Sequence, residues 1–316
     1  MMKTKNFFLT MAAVVLATAL TGAMMTSCSK IDIPVADNDG NPPLPKGKTV
    51  KLDTLSADYV AQDGETLTGP LKEKYKISIA NGATVTLSGV LIDGGITCLG
   101  DATIVLADNT KNNLKGKANY PGIQAGREGT TLTICGEEKG SGELVAIGGD
   151  DAAGIGSGGS CGDIKIKGGV IEATGGDNAA GIGSGSGGSC GDIKIEGGKI
   201  MAIGGDYASG IGCGFISSCG NITIESGEIE AAGGYRAAGI GTGRLGWCGN
   251  ITIRKPARGT AKGGERSPNA IGAGDEGECG EISVDEDTII CVDDPIDNPN
   301  GGGPIDDPNG GVSPIM

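Results

Sequence analysis

The sequence predicts an all-β fold, a right-handed parallel β-helix (solenoid) with three short strands and about 29 residues per coil. Three observations predict it. The motif Cys-Gly-Asp/Asn/Glu followed by an alternating apolar run recurs as "CGDIKI" at 161 and 190, "CGNITI" at 219 and 248, and "CGEISV" at 279. Between these motifs a glycine-alternating piece recurs: "AAGIGSG" at 152–158 and 179–185, "ASGIGCG" at 208–214 and "AAGIGTG" at 237–243. Each extended piece is short and bounded by Gly and Asp, the punctuation of strands joined by turns. A fixed period of this length marks a stack of repeated units, each burying its apolar face on the next. Strand–crossover–strand chirality favours the right hand.

The elements follow in order. "MMKTKNFFLTMAAVVLATALTGAMMTSC" has a basic start at Lys3 and Lys5, an apolar run from Phe7 to Leu20, and small residues before Cys28. That is the layout of an export signal over 1–27. "MTSC" resembles the lipobox of bacterial lipoproteins, which makes Cys28 the expected lipid-bearing residue and the membrane a partner through its lipid. Residues 28–48 are polar and Pro-rich and read as a tether, and 293–316 as a disordered Asp/Pro/Gly tail. The body is 49–292, with 49–75 expected as an N-terminal cap and 76–292 as seven or eight coils. "YPGIQAG" at 120–126 is an early form of the glycine piece.

Period-two alternation assigns the inward side chains. Ile164 and Ile166 recur as Ile193/Ile195, Ile222/Ile224 and Ile251/Ile253. Ile171 and Ala173 recur as Ile200/Ala202 and Ile229/Ala231, and Ile155 as Ile182, Ile211, Ile240 and Ile271. An outward Ile ladder would be a long exposed apolar stripe, so Ile points in and the glycines point out. The glycine strand is then expected to present bare backbone, either for packing or as a groove floor where a ligand approaches closely.

The units "AAGIGSG…SCGDIKIKGGVIEATGGD" resemble the Gly-rich repeats of surface or secreted parallel β-helix proteins of anaerobic bacteria, some of them carbohydrate-binding. The resemblance covers residues 76–292 and implies a β-helix and a glycan ligand. It brings no catalytic motif.

Composition narrows the chemistry. The chain has no histidine, which removes Ser-His-Asp and Cys-His nucleophiles and every His-ligated metal. Net charge is −14, and loss of Lys3 and Lys5 with the signal leaves 23 basic residues against 39 acidic. That excess argues against nucleic acid as a partner. Cys161, Cys190, Cys219, Cys248 and Cys279 are expected to stack in one ladder of buried thiols.

The candidate site lies at the borders of the glycine strand. One border carries Asp150, Asp177, Asp206 and Tyr235, followed by Asp151, Asn178, Tyr207 and Arg236. The other carries a loop that varies: "GS", "SGGS", "FISS", "RLGW", "DEGE". Flat apolar rings beside polar donors suit a sugar, so Phe215, Trp247, Tyr207, Tyr235, Arg236 and Arg244 are the expected ligand-binding residues. Asp150, Asp177 and Asp206 form an acidic ladder that a calcium ion could neutralise; otherwise they are solvated turn residues.

The leading reading is a non-catalytic, lipid-anchored protein of the bacterial envelope, at the outer membrane or cell surface. It would bind a polysaccharide or a surface partner as a monomer, with no cofactor beyond calcium. The alternatives are a polysaccharide lyase or hydrolase, by fold analogy, and a structural spacer or adhesin rod.

Overall fold

The computed structural model describes residues 47–292. The signal segment, Cys28 and the 293–316 tail lie outside the described residues. The chain is a parallel β-helix, and every strand pairing among the described residues is parallel. One lane runs through Thr131–Gly136, Asp163–Ile166, Ile193–Ile195, Ile222–Ile224, Ile251–Ile253 and Ile282–Val284. A second runs through Glu143–Ile147, Val170–Thr174, Lys199–Ile203, Glu228–Ala232 and Arg258–Lys262. The glycine lane is a nine-stranded sheet whose later rungs are two residues long, Ile155–Gly156 to Ile271–Gly272. A short fourth lane, not foreseen in the repeat, pairs Ser189–Cys190, Ser218–Cys219, Trp247–Cys248 and Glu278–Cys279.

Register follows the repeat. Ile164 pairs with Ile193 and Ile222 with Ile251, each step one full repeat. These isoleucines, with Ile155, Ile182, Ile211 and Ile240, are fully buried. Each buried Ile contributes about 1.5–3 kcal/mol relative to exposure, so a core of Ile, Ala and Cys closes without aromatic rings.

The early coils are shorter. Thr49 pairs with Thr66, and Ile77 with Ile96, both well short of the step from Ile164 to Ile193. They lack the glycine corner, and the 11-residue strand Ala83–Asp93 serves both lanes, pairing first with Ala102–Leu106 and then with Lys111–Lys115. Residues 49–75, expected as a cap, carry the strands Thr49–Lys51, Tyr59–Ala61 and Thr66–Pro70, which pair with the coils that follow. They also seat Leu52 fully buried in a single 3-10 turn, Leu52–Thr54.

The Cys-Gly-Asp/Asn motif has a structural cause. Asp163 Oδ1 accepts from the Asp192 N–H (2.9 Å), Asp192 Oδ1 from Asn221 N–H (2.7 Å), Asn221 Oδ1 from Asn250 N–H (2.9 Å) and Asn250 Oδ1 from Glu281 N–H (2.8 Å). Each side chain thus satisfies a backbone donor one rung on, which a bend in the strand would otherwise leave open. The preceding glycine makes room: a Cβ on Gly191, Gly220, Gly249 or Gly280 would lie 2.1–2.6 Å from that same oxygen. On the outer face, Glu196 bridges Lys165 (2.8 Å) and Lys194 (3.1 Å), and Lys194 reaches Glu225 (3.0 Å).

Candidate functional site

The glycine lane is a corner, not an open floor. Ala153 N–H donates to Ser157 O (3.0 Å), and Ala180, Ser209 and Ala238 repeat the contact with Ser184, Cys213 and Thr242. The chain therefore enters and leaves each corner side by side, with Ile at the apex pointing in. Gly154 and Gly156 are buried. Gly156, Gly183, Gly212 and Gly241 hold φ of 134 to 138°, and a Cβ on any of them would stand 1.7–1.9 Å from the carbonyl of the next rung. The expected glycine-floored groove is therefore corrected. These glycines exist because coils touch there, and no ligand could reach their backbone.

The side-by-side geometry brings two turns together. The first turn ends on a residue in the left-handed region: Asp151 (φ 58°), Asn178 (61°), Tyr207 (57°), Arg236 (61°) and Arg266 (59°). The second turn does the same at Gly187 (64°), Ile216 (47°), Leu245 (55°) and Glu276 (56°). Each second turn hydrogen-bonds to the first turn of the preceding coil: Phe215 N–H to Asn178 O, Arg244 N–H to Tyr207 O, Asp275 N–H to Arg236 O, at 2.8–2.9 Å. Side chains from both borders thus emerge on one edge.

In the earlier coils the left-handed positions hold Asn, Asp or Gly, which tolerate them. In the three later coils they hold Tyr, Arg, Ile, Leu and Glu. A bulky or β-branched residue there is strained, at a cost on the order of 1–3 kcal/mol. Such strain persists where the surroundings over-determine it, often at ligand sites.

The strained turns build a cluster. The Tyr207 ring lies 5.6 Å from Phe215 and 5.5 Å, edge-on, from Tyr235. Arg244 sits 5.8 Å over Tyr207, and Arg236 and Arg266 sit 5.3 and 5.8 Å over Tyr235. Asp275 holds Arg236 at 3.2 Å and Arg244 at 3.6 Å, while Glu276 holds Arg244 at 3.0 Å. The Arg244 Nε is buried without a hydrogen-bond partner. The result is a half-buried set of rings, edged by guanidinium and carboxylate groups paired with one another.

Five of the six expected ligand residues meet here: Tyr207, Phe215, Tyr235, Arg236 and Arg244. Trp247 does not join them. It stands in the fourth lane, 53% exposed, in register with Ser218 and Glu278; Ile216 and Leu245, in the same variable loops, are exposed as well. Sequence reasoning missed Arg266, Asp275 and Glu276; the break from Gly and Ser to "DEGE" in the variable loop was the available signal. Asp150, Asp177 and Asp206 recur in successive turns as expected. Burial, then the neighbouring Asp177, raises the Asp206 carboxyl above its ordinary value. Among the described residues, however, no group of three or more Cys, Asp or Glu side chains is arranged to hold a metal ion. A depression elsewhere, between Glu172, Met201 and Glu230, belongs to the pleated outer face of the second lane, and the lysines that line it, Lys111 and Lys199, are paired with Glu143 and Glu228.

Three segments, 164–186, 193–215 and 222–244, are similar to a beta-helix repeat family. Each match runs from a first-lane isoleucine to the residue just before the second turn's left-handed position, so together they take in both the scaffold and the positions of Tyr207, Phe215, Tyr235, Arg236 and Arg244. The chain matches none of the curated proteins and none of the solved structures compared with it. Fold and repeat define a parallel β-helix, an architecture consistent with carbohydrate binding and with lyase or hydrolase activity.

Proposed function

We propose that this chain is a non-catalytic envelope protein, held to a membrane by lipid on Cys28 at the outer membrane or cell surface, that binds a polysaccharide at the edge of its later coils. The Tyr207–Phe215–Tyr235 cluster carries the reading. A sugar ring needs a flat apolar face with hydrogen-bond partners at its rim. Here the faces are aromatic and the rim is Arg236, Arg244, Asp275 and Glu276. Their placement on strained turns supports a role beyond packing. The site is one edge of a rod, so a long chain could lie along successive coils.

The test is affinity electrophoresis of the protein through gels containing different polysaccharides. Wild type is expected to be retarded by at least one of them. Tyr207→Ala should lose that retardation, and Trp247→Ala, outside the cluster, should keep most of it. Retardation lost in Trp247→Ala and kept in Tyr207→Ala would move the site to the apolar patch of Ile216, Leu245 and Trp247. Breakdown of the embedded polysaccharide would contradict the non-catalytic reading.

A further inference from the structure

The cysteine ladder along the fourth lane ends in a pair with chemistry of its own. Cys190, Cys219, Cys248 and Cys279 are in register on successive rungs, and Cys161 precedes them. At the last step the Cys248 and Cys279 sulfurs are 2.7 Å apart. Non-bonded sulfurs do not pack so closely, and an S–S bond is about 2.05 Å. Parallel rungs stand about 4.8 Å apart, inside the Cα window of a disulfide. Both residues are free thiols. Cys161, Cys190, Cys213 and Cys219 are buried, whereas Cys279 is half-exposed. Cys279 also sits in the last coil, where burial falls away: in the next strand, Ile282 is 46% exposed where its counterpart Ile251 is 0%.

We propose that Cys248 and Cys279 are a redox modification site, at which exchange with a low-molecular-weight disulfide forms a bond that fastens the final coil to the rod. In the first step the half-exposed Cys279 gives its proton to the adjoining Cys248 thiolate, which otherwise holds that proton on Cys279, and attacks one sulfur of the reagent. The reagent S–S bond breaks, one thiolate leaves with the electron pair, and Cys279 carries a mixed disulfide. In the second step the Cys248 thiolate attacks Cys279 Sγ and expels the second reagent thiolate. Two cysteines are oxidised, one disulfide is reduced to two thiols, and the two protons pass to the leaving groups. Cys219 first, and Cys279 second, stabilise the Cys248 thiolate as S–H donors and hold it down to about 5. Cys219 remains in place once Cys279 is capped.

The experiment treats the reduced full chain with oxidised glutathione, quenches in acid, alkylates after denaturation and maps the peptides by mass. The expected product is a Cys248–Cys279 cross-link, with Cys161, Cys190, Cys213 and Cys219 alkylated. Cys248→Ala should stop at a glutathione adduct on Cys279, and Cys279→Ala should give neither adduct nor cross-link. Amide exchange over 278–284 should slow by about tenfold or more on oxidation. A stable glutathione adduct on wild-type Cys279, a cross-link to a different cysteine, or full alkylation of both residues would overturn the proposal. Cys279→Ala alters a half-exposed side chain in the terminal coil, so it remains informative if Cys248→Ala fails to fold.

Discussion

The coil through Asn178 and Gly187 and the coil through Arg236 and Leu245 share one scaffold. Ile182 and Ile240 occupy the same fully buried apex, and Gly183 and Gly241 hold φ of 136° and 134°. They differ where the backbone turns left-handed. The first coil uses Asn and Gly there; the second places Arg and Leu on nearly the same dihedrals. Packing explains everything the two coils share. It does not explain why the second accepts strain that the first avoids. The difference isolates the candidate site from the rod that carries it.

The largest expected effect tests the shared part. Gly183→Ala, in the plain coil, and Gly212→Ala, in a decorated one, should each cost about 3 kcal/mol or more, because a Cβ meets a backbone carbonyl at 1.7 and 1.9 Å at positive φ. Thermal unfolding of the two variants should show similar losses. A negligible loss in either would return the glycines to a ligand-facing role. Next comes the Asn ladder. Asn221→Ala removes the acceptor of the Asn250 N–H and should cost about 1 kcal/mol, read from denaturant midpoints. An unchanged midpoint would mean that water replaces the side chain freely.

The next effect has the opposite sign and sharpens the comparison. Ile216→Gly restores the residue found at the equivalent Gly187, and Ile216 is 55% exposed, so little packing is lost. The variant should be more stable by about 1 kcal/mol. Destabilisation would show that Ile216 is held by contacts that outweigh its strain. The smallest effect is electrostatic. Burial, then Asp177, raises the Asp206 carboxyl. An acid with a raised folded-state pKa lends stability that is fully present below its unfolded pKa and is lost as pH rises through the folded value. Asp206→Asn should therefore melt slightly higher than wild type at pH 7, and the gap should close below about pH 3.9. A gap that does not change with pH would place Asp206 in solvent.

The coil scaffold was legible because each rung repeats its predecessor, so Ile164, Ile193, Ile222 and Ile251 announce one another. The early coils were harder to read. Their shorter steps lack the Cys-Gly motif, and the long strand Ala83–Asp93 serves two lanes at once, which a period search does not reveal. The glycine strand misled for a physical reason: alternation says which side chains face in, but not that the chain doubles back at the apex and closes its own outer face. The ligand residues were legible as departures from a repeat. Asp275 and Glu276 were missed because their partners, Arg236 and Arg244, lie a coil away, and only the offset between the two turns joins them.

The most direct test of the account strips the decorated coils down to plain ones. A variant carrying Tyr207→Asn, Ile216→Gly, Arg236→Asn and Leu245→Gly keeps every inward side chain and every glycine corner. The account predicts that it folds at least as stably as wild type and migrates unretarded through the polysaccharide gel that slows wild type most. Equal retardation of the two proteins in that gel would contradict the claim that these turns are the binding site.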